Sequence, residues 1–109
     1  MTVDSFMASH SLAKISVMKV DVEGYEKLVF EGARESLAAG RIATVYFEVC
    51  PVLAAKAGFG PADAAQLLAG VGYRLFTLSS VGGLVPADIG LTGSVQSTNW
   101  VAVKQKIAL

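Results

Sequence analysis

Strand-like and helix-like segments alternate along this sequence, and each is stopped by glycine or proline. Residues 15–22 (ISVMKVDV) are rich in β-branched side chains and close on Gly24, which predicts a buried strand. Residues 26–39 (EKLVFEGARESLAA) place Leu28, Val29, Ala33 and Leu37 near helical spacing, with Gly40 past the end as a stop. Gly32 weakens that helix, since an interior glycine costs about 1 kcal/mol relative to alanine. Residues 42–49 (IATVYFEV) predict a second strand, closed by Pro51. Pro61 marks a helix start, and residues 62–70 (ADAAQLLAG) form a short helix ending near Gly72. Residues 73–79 (YRLFTLS) and 99–104 (NWVAVK) read as further strands. The stretch 80–97 between them, rich in Gly, Ser and Thr, reads as a long loop.

This order predicts one α/β domain over residues 1–109, built on a mostly parallel sheet. Helical crossovers should make the first three strands parallel with right-handed connections. The last connection has no helix, so the sheet should end in a C-terminal antiparallel hairpin. The chain is 53% hydrophobic and only 17% charged, against roughly 25% charged for an ordinary domain. A domain this short should need more polar cover, not less. Intrinsic disorder is excluded, and no membrane span is expected, because no run of about 18 residues is continuously apolar. Strands buried on both faces account for part of the surplus. The rest implies cover from further protein along the 15–22 strand.

Nine basic residues balance nine acidic ones, so the basic excess of a nucleic-acid binder is missing. Five of the nine acids, Asp21, Glu23, Glu26, Glu31 and Glu35, fall between positions 21 and 35. The single Cys50 cannot form an internal disulfide and reads as a small buried hydrophobe. The opening MTVDSFMASHS has no basic region followed by an apolar run, so no secretory signal is expected and the default location is cytoplasmic.

Ligands of open α/β sheets bind outside the carboxyl ends of the strands. Strand alternation puts Val17, Lys19, Asp21 and Glu23 on one face, and Thr44, Tyr46 and Glu48 on one face of the next strand. Asp21, Glu23 and Glu48 can therefore converge at one rim, with Lys19 as a counter-charge. A carboxylate there could accept a proton from a substrate hydroxyl or bind an ammonium group. Each residue also has a plain structural reading. Glu23 and Glu26 lie at a helix start, where the dipole favours acids; Lys19 and Asp21 could pair with each other; Gly24 suits a strand-to-helix turn. His10 reads as a surface residue, and Tyr25 and Trp100 as packing residues.

The run VMKVDVEGYEKLVFEGARESL, from Val17 to Leu37, resembles the signature of the FkbM family of S-adenosylmethionine-dependent methyltransferases. That signature reads KIDVEGAE followed by a hydrophobic helix with a GA pair, here Gly32-Ala33. The likeness continues through YFEVCP (46–51), GYRLFTL (72–78) and STNWVAV (97–103), and MTVDSF is similar to the segment preceding the block. The resemblance implies a Rossmann-like methyltransferase fold in truncated form, the four strands being the fourth to seventh of seven. It implies methyl transfer from S-adenosylmethionine to a small-molecule acceptor, commonly a sugar or polyketide hydroxyl. Asp21, Glu23 and Glu48 would be catalytic, Asp21 and Gly24 would meet the cofactor, and Glu48 and Asn99 would meet the acceptor. No metal is implied.

No G-x-G turn precedes Asp21, so the expectation is a C-terminal part whose cofactor-binding N-terminal half lies elsewhere. A different reading is a non-catalytic module that associates with itself, or with that missing half, through the 15–22 strand edge. A hydrolase built on Asp21 and Glu48 is a third reading. It lacks a nucleophile–base pair, His10 being the only histidine.

Overall fold

The computed structural model describes residues 1–94 and 97–105. Four strands fall where the sequence places them: β1 (Ile15–Val20), β2 (Ile42–Val49), β3 (Tyr73–Leu78) and β5 (Thr98–Lys104). A short β4 (Leu84–Pro86) and a 3₁₀ turn (Ile89–Ser94) occupy the stretch expected to be a loop, of which positions 95 and 96 lie outside the described residues. The strands form one sheet in the order β1-β2-β5-β3-β4.

The sheet is mixed rather than mostly parallel. Only β1 and β2 pair in parallel, whereas β2–β5, β5–β3 and β3–β4 are antiparallel. The last strand is the cause. Without a helical crossover it returns antiparallel, as expected, but it inserts between β2 and β3 and separates two strands that point the same way. Nor is β1 a buried strand. It sits at the sheet edge, so Ser16, Val17 and Lys19 are exposed. It ends at Val20, two residues early, and the Val22 N–H beyond it donates to the Glu26 carboxylate.

The helix expected over 26–39 forms as two pieces, α2 (Glu26–Glu31) and α3 (Arg34–Ala38), joined through Gly32 and Ala33. A segment that sequence left unassigned produces the break. α1 (Val3–Ser9) begins in a capping box between Thr2 and Ser5 and buries Met7. Its Asp4 N–H donates to the Gly32 carbonyl at 2.9 Å. The Asp4 carboxylate accepts from the N–H groups of Ser36 (3.0 Å) and Glu35 (3.1 Å), capping α3 from outside. Gly32 also lets α1 approach, since a Cβ there would lie 3.1 Å from the Thr2 Cβ. Further on, α4 (Pro51–Lys56) starts with Pro51 in its first turn, and α5 (Asp63–Gly70) follows.

Burial pushes the Asp4 carboxyl up, but hydrogen bonds from Ser36 and Glu35, with the Arg41 charge, outweigh it and hold the group below its ordinary value. A depressed carboxyl contributes stability that is present above its unfolded pKa of about 3.9 and is lost as pH falls through the folded value. Asp4→Asn should therefore lower stability at neutral pH, and that deficit should shrink as pH falls through the folded value, as measured by denaturant unfolding of both proteins.

One face of the sheet forms the core. Register aligns Val20, Phe47 and Trp100 in one row and Val45, Ala102 and Leu75 in another, all buried. Phe30, Ala33, Leu37, Ala65 and Leu68 of the helical layer close over them. Phe47 packs edge-on to both Phe30 and Trp100, at ring distances of 5.4 and 6.4 Å. The other face carries Val17, Lys19, Thr44, Tyr46, Arg74, Phe76, Val101 and Val103, of which only Val101 is buried. Lys19 and Arg74 lie over the Tyr46 and Phe76 rings of that face. At the far end of β5, the Lys104 ammonium donates to the carbonyls of Leu37 (2.8 Å), Ala38 (3.2 Å) and Val71. It thereby joins the carboxyl ends of α3 and α5.

Candidate functional site

The carboxyl ends of β1, β2 and β3 meet the amino end of β5 along one rim, as the antiparallel insertion requires. Glu48 and Asn99 are register partners there, next to the pair Val49 and Thr98. Alternation along β2 is as expected, with Val45, Phe47 and Val49 buried and Thr44, Tyr46 and Glu48 half-buried. The Glu48 carboxylate accepts from the Ser97 hydroxyl at 3.1 Å, and Asn99 is exposed. Asp21 directly follows Val20, whose partner Phe47 directly precedes Glu48. Asp21 thus stands on the same rim, one strand over, and is exposed.

Glu23 is not on a strand, because β1 has already ended. It occupies the left-handed region at φ +51°, followed by Gly24 at +101°. The Gly24 backbone is pressed against α4, where an added Cβ would fall 2.2 Å from the Leu53 carbonyl oxygen. The expected turn requirement for Gly24 is therefore met twice, by φ and by packing.

Glu26 holds this turn together. It is the first residue of α2, as the dipole reading placed it, but it is only 5% exposed. Its two carboxylate oxygens accept separately from the N–H groups of Val22 (3.0 Å) and Gly24 (3.1 Å). Sequence reasoning missed this local role. The available signal was an acid at the first helical position, two residues after the glycine of a turn.

Other expectations need correction. Lys19 does not pair with Asp21; its ammonium lies 5.9 Å from the Tyr46 ring centre. The only ion pair among the described residues joins Lys27 to Glu31 at 3.5 Å. Cys50 is half-buried rather than buried, because it caps α4 at the sheet rim. Tyr25 is half exposed and meets Phe59 edge-on, so it contributes less packing than expected. Trp100 is buried, with its indole N–H unpartnered among the described residues. His10 is exposed and stacks on Phe6.

A family model described as the methyltransferase FkbM domain matches residues 1–75. The chain belongs to the FkbM methyltransferase domain family. No curated protein and no solved structure matches it. The matched part of this FkbM domain runs from α1 into β3 and contains Asp21, Glu23, Gly24 and Glu48, whereas Asn99 lies beyond it. Methyltransferases generally draw on S-adenosylmethionine, whose sulfonium and ammonium are cationic and whose ribose hydroxyls are donors. The exposed carboxylates of Asp21 and Glu23 and the half-buried one of Glu48 are acceptors and anions. The donor set on this rim fits such a group chemically. Among the described residues, no group of His, Cys, Asp and Glu is placed to hold a metal ion, and no helix is long and apolar enough to cross a membrane.

Proposed function

We propose that this chain forms the acceptor-side rim of an S-adenosylmethionine-dependent methyltransferase acting on a hydroxyl of a small molecule or sugar. The carrying observation is the placement of Asp21, just past the end of β1, on the same rim as Glu48 and Asn99, register partners on β2 and β5. The cofactor, when bound, supplies an electrophilic methyl group on a sulfonium. The residues here have the remaining tasks of orienting and of moving a proton. Asp21 would hold the cofactor's cationic or hydroxyl groups, with the Gly24 turn beside it. Glu48 and Asn99 would orient the acceptor, and Glu48 would take the hydroxyl proton as the oxygen–methyl bond forms. Ser97, which already donates to Glu48, keeps that carboxylate aimed along the rim. Glu23 adds negative charge beside the sulfonium.

On this reading residues 1–109 are the C-terminal part of the domain. A glycine-rich turn for the rest of the cofactor comes from other polypeptide packed beside β1. The two carboxylates then separate in a kinetic test. Asp21→Asn should weaken S-adenosylmethionine binding about tenfold or more. Glu48→Gln should slow transfer about 100-fold or more while leaving that affinity within about threefold. Equal effects of both variants on affinity alone would overturn the assignment.

One observation supports a second, non-catalytic reading. β1 is an edge strand, and Val17 within it is 62% exposed. Such an edge pairs readily with another chain. A self-associating module would sediment as a dimer, and a monomer at all concentrations would end that reading.

A further inference from the structure

We infer that Glu26 is a positioning residue, whose buried carboxylate sets how Asp21 and Glu23 are presented on the rim. The inference rests on the methyltransferase reading for its functional half and on geometry alone for the rest. A carboxylate only 5% exposed is costly to bury unless its oxygens are satisfied. Those of Glu26 are satisfied by backbone N–H groups on either side of Glu23, from Val22 at 3.0 Å and from Gly24 at 3.1 Å. Glu23 is thus pinned between two anchored residues in the left-handed region at φ +51°, which a residue with a side chain seldom adopts. Such a conformation persists only where its surroundings over-determine it, and it is frequent at working sites.

The anchoring comes from two sides. Gly24 is held from below by Glu26 and from beside by α4, whose Leu53 carbonyl leaves no room for a Cβ. Tyr25 lies edge-on to Phe59, and Lys27 lies over the same ring, so the segment after α4 is fastened to the start of α2. The bond to Val22 ties the residue after Asp21 to the start of α2, so the exposed Asp21 is followed directly by an anchored turn. A glutamine would offer only one acceptor oxygen to two donors, and an alanine none.

Two measurements on the full chain test this. In the wild type, the amides of Val22 and Gly24 should exchange with solvent slowly for turn residues. Glu26→Gln should speed one of them about tenfold or more, and Glu26→Ala both, while core amides such as Val45 and Phe47 keep their rates. Free exchange of both amides in the wild type overturns the inference, even should the variants fail to fold. The second measurement is S-adenosylmethionine affinity by calorimetry in a double-mutant cycle. Glu26→Gln should weaken binding about tenfold, and that effect should shrink below about twofold once Asp21→Asn and Glu23→Gln are present. An undiminished effect in that background means Glu26 does not act through the rim, and the inference fails. Absence of binding by the wild type counts against Asp21 and Glu23 as cofactor contacts, the functional half of the inference. Amide exchange then upholds or overturns the clamp by itself.

Discussion

Gly24→Ala is expected to destabilise the protein by about 3 kcal/mol or more. Two penalties add. The first is a left-handed φ of +101°, which costs an L-residue about 1–2 kcal/mol. The second is steric, because the new methyl group would sit 2.2 Å from the Leu53 carbonyl oxygen and 2.5 Å from its carbon. Backbone atoms cannot rotate out of the way as a flexible side chain does, so α4 or the turn must shift as a unit. Overpacking of that kind costs about 1–3 kcal/mol. Gly58 provides the control, since its φ is +88° but nothing lies within 4 Å of an added Cβ. Gly58→Ala should show the conformational part alone, about 1 kcal/mol. Thermal unfolding of the two variants separates the terms, and equal losses would remove the steric argument.

Lys104→Met is the second large effect, at about 2–3 kcal/mol. For a domain near this size that is a fall of roughly 10–20 °C in Tm. Methionine keeps the apolar stem, so the loss isolates the ammonium. That group donates to the last carbonyls of α3 at Leu37 and Ala38 and to Val71 after α5. Helix carboxyl ends carry unpaired carbonyls and partial negative charge, and a cation there is favourable on both counts. The Tyr73 ring lies 5.0 Å beneath the ammonium. The Tyr73 hydroxyl donates to the Ile42 carbonyl, and burial pushes its pKa to about 12, so it stays a neutral donor across the working range. Lys104→Arg should not restore full stability, because a planar fork cannot converge on three carbonyls as an ammonium does. Full rescue by arginine would show that charge alone is needed.

The parts legible in the sequence are those set by local pattern. β2 was placed with both ends correct because its alternation and the following Pro51 are signals contained within ten residues. The start of β3 at Tyr73 and the antiparallel sense of β5 were equally local, one from the glycine before it and the other from a connection without a helix. What failed was decided across the chain. No periodicity announces that β5 lies between β2 and β3. The break after Glu31 depends on Asp4, about thirty residues away, and Gly32 hinted at it without proving it. α1 carries little pattern in its seven residues, and nothing local in the sequence marks its capping box or its buried Met7.

The rim divides in the same way. Strand alternation and end position, which are one-dimensional properties, place Asp21 and Glu48 toward one rim, whereas Asn99 enters only through the family resemblance. Glu26 was assigned to a generic dipole because its two partners are backbone groups, which every residue possesses and no sequence displays.

The two sides of the sheet differ in what they allow when copies meet. β1 offers a six-residue edge, whereas the opposite margin is the three-residue β4, which ends in Pro86 and has one N–H fewer to offer. Pairing through β1 is therefore self-limiting. Two molecules joined there around a two-fold axis use up the only good edge each has, and what faces outward is the blunt one. On that geometry, growth would stop at the pair.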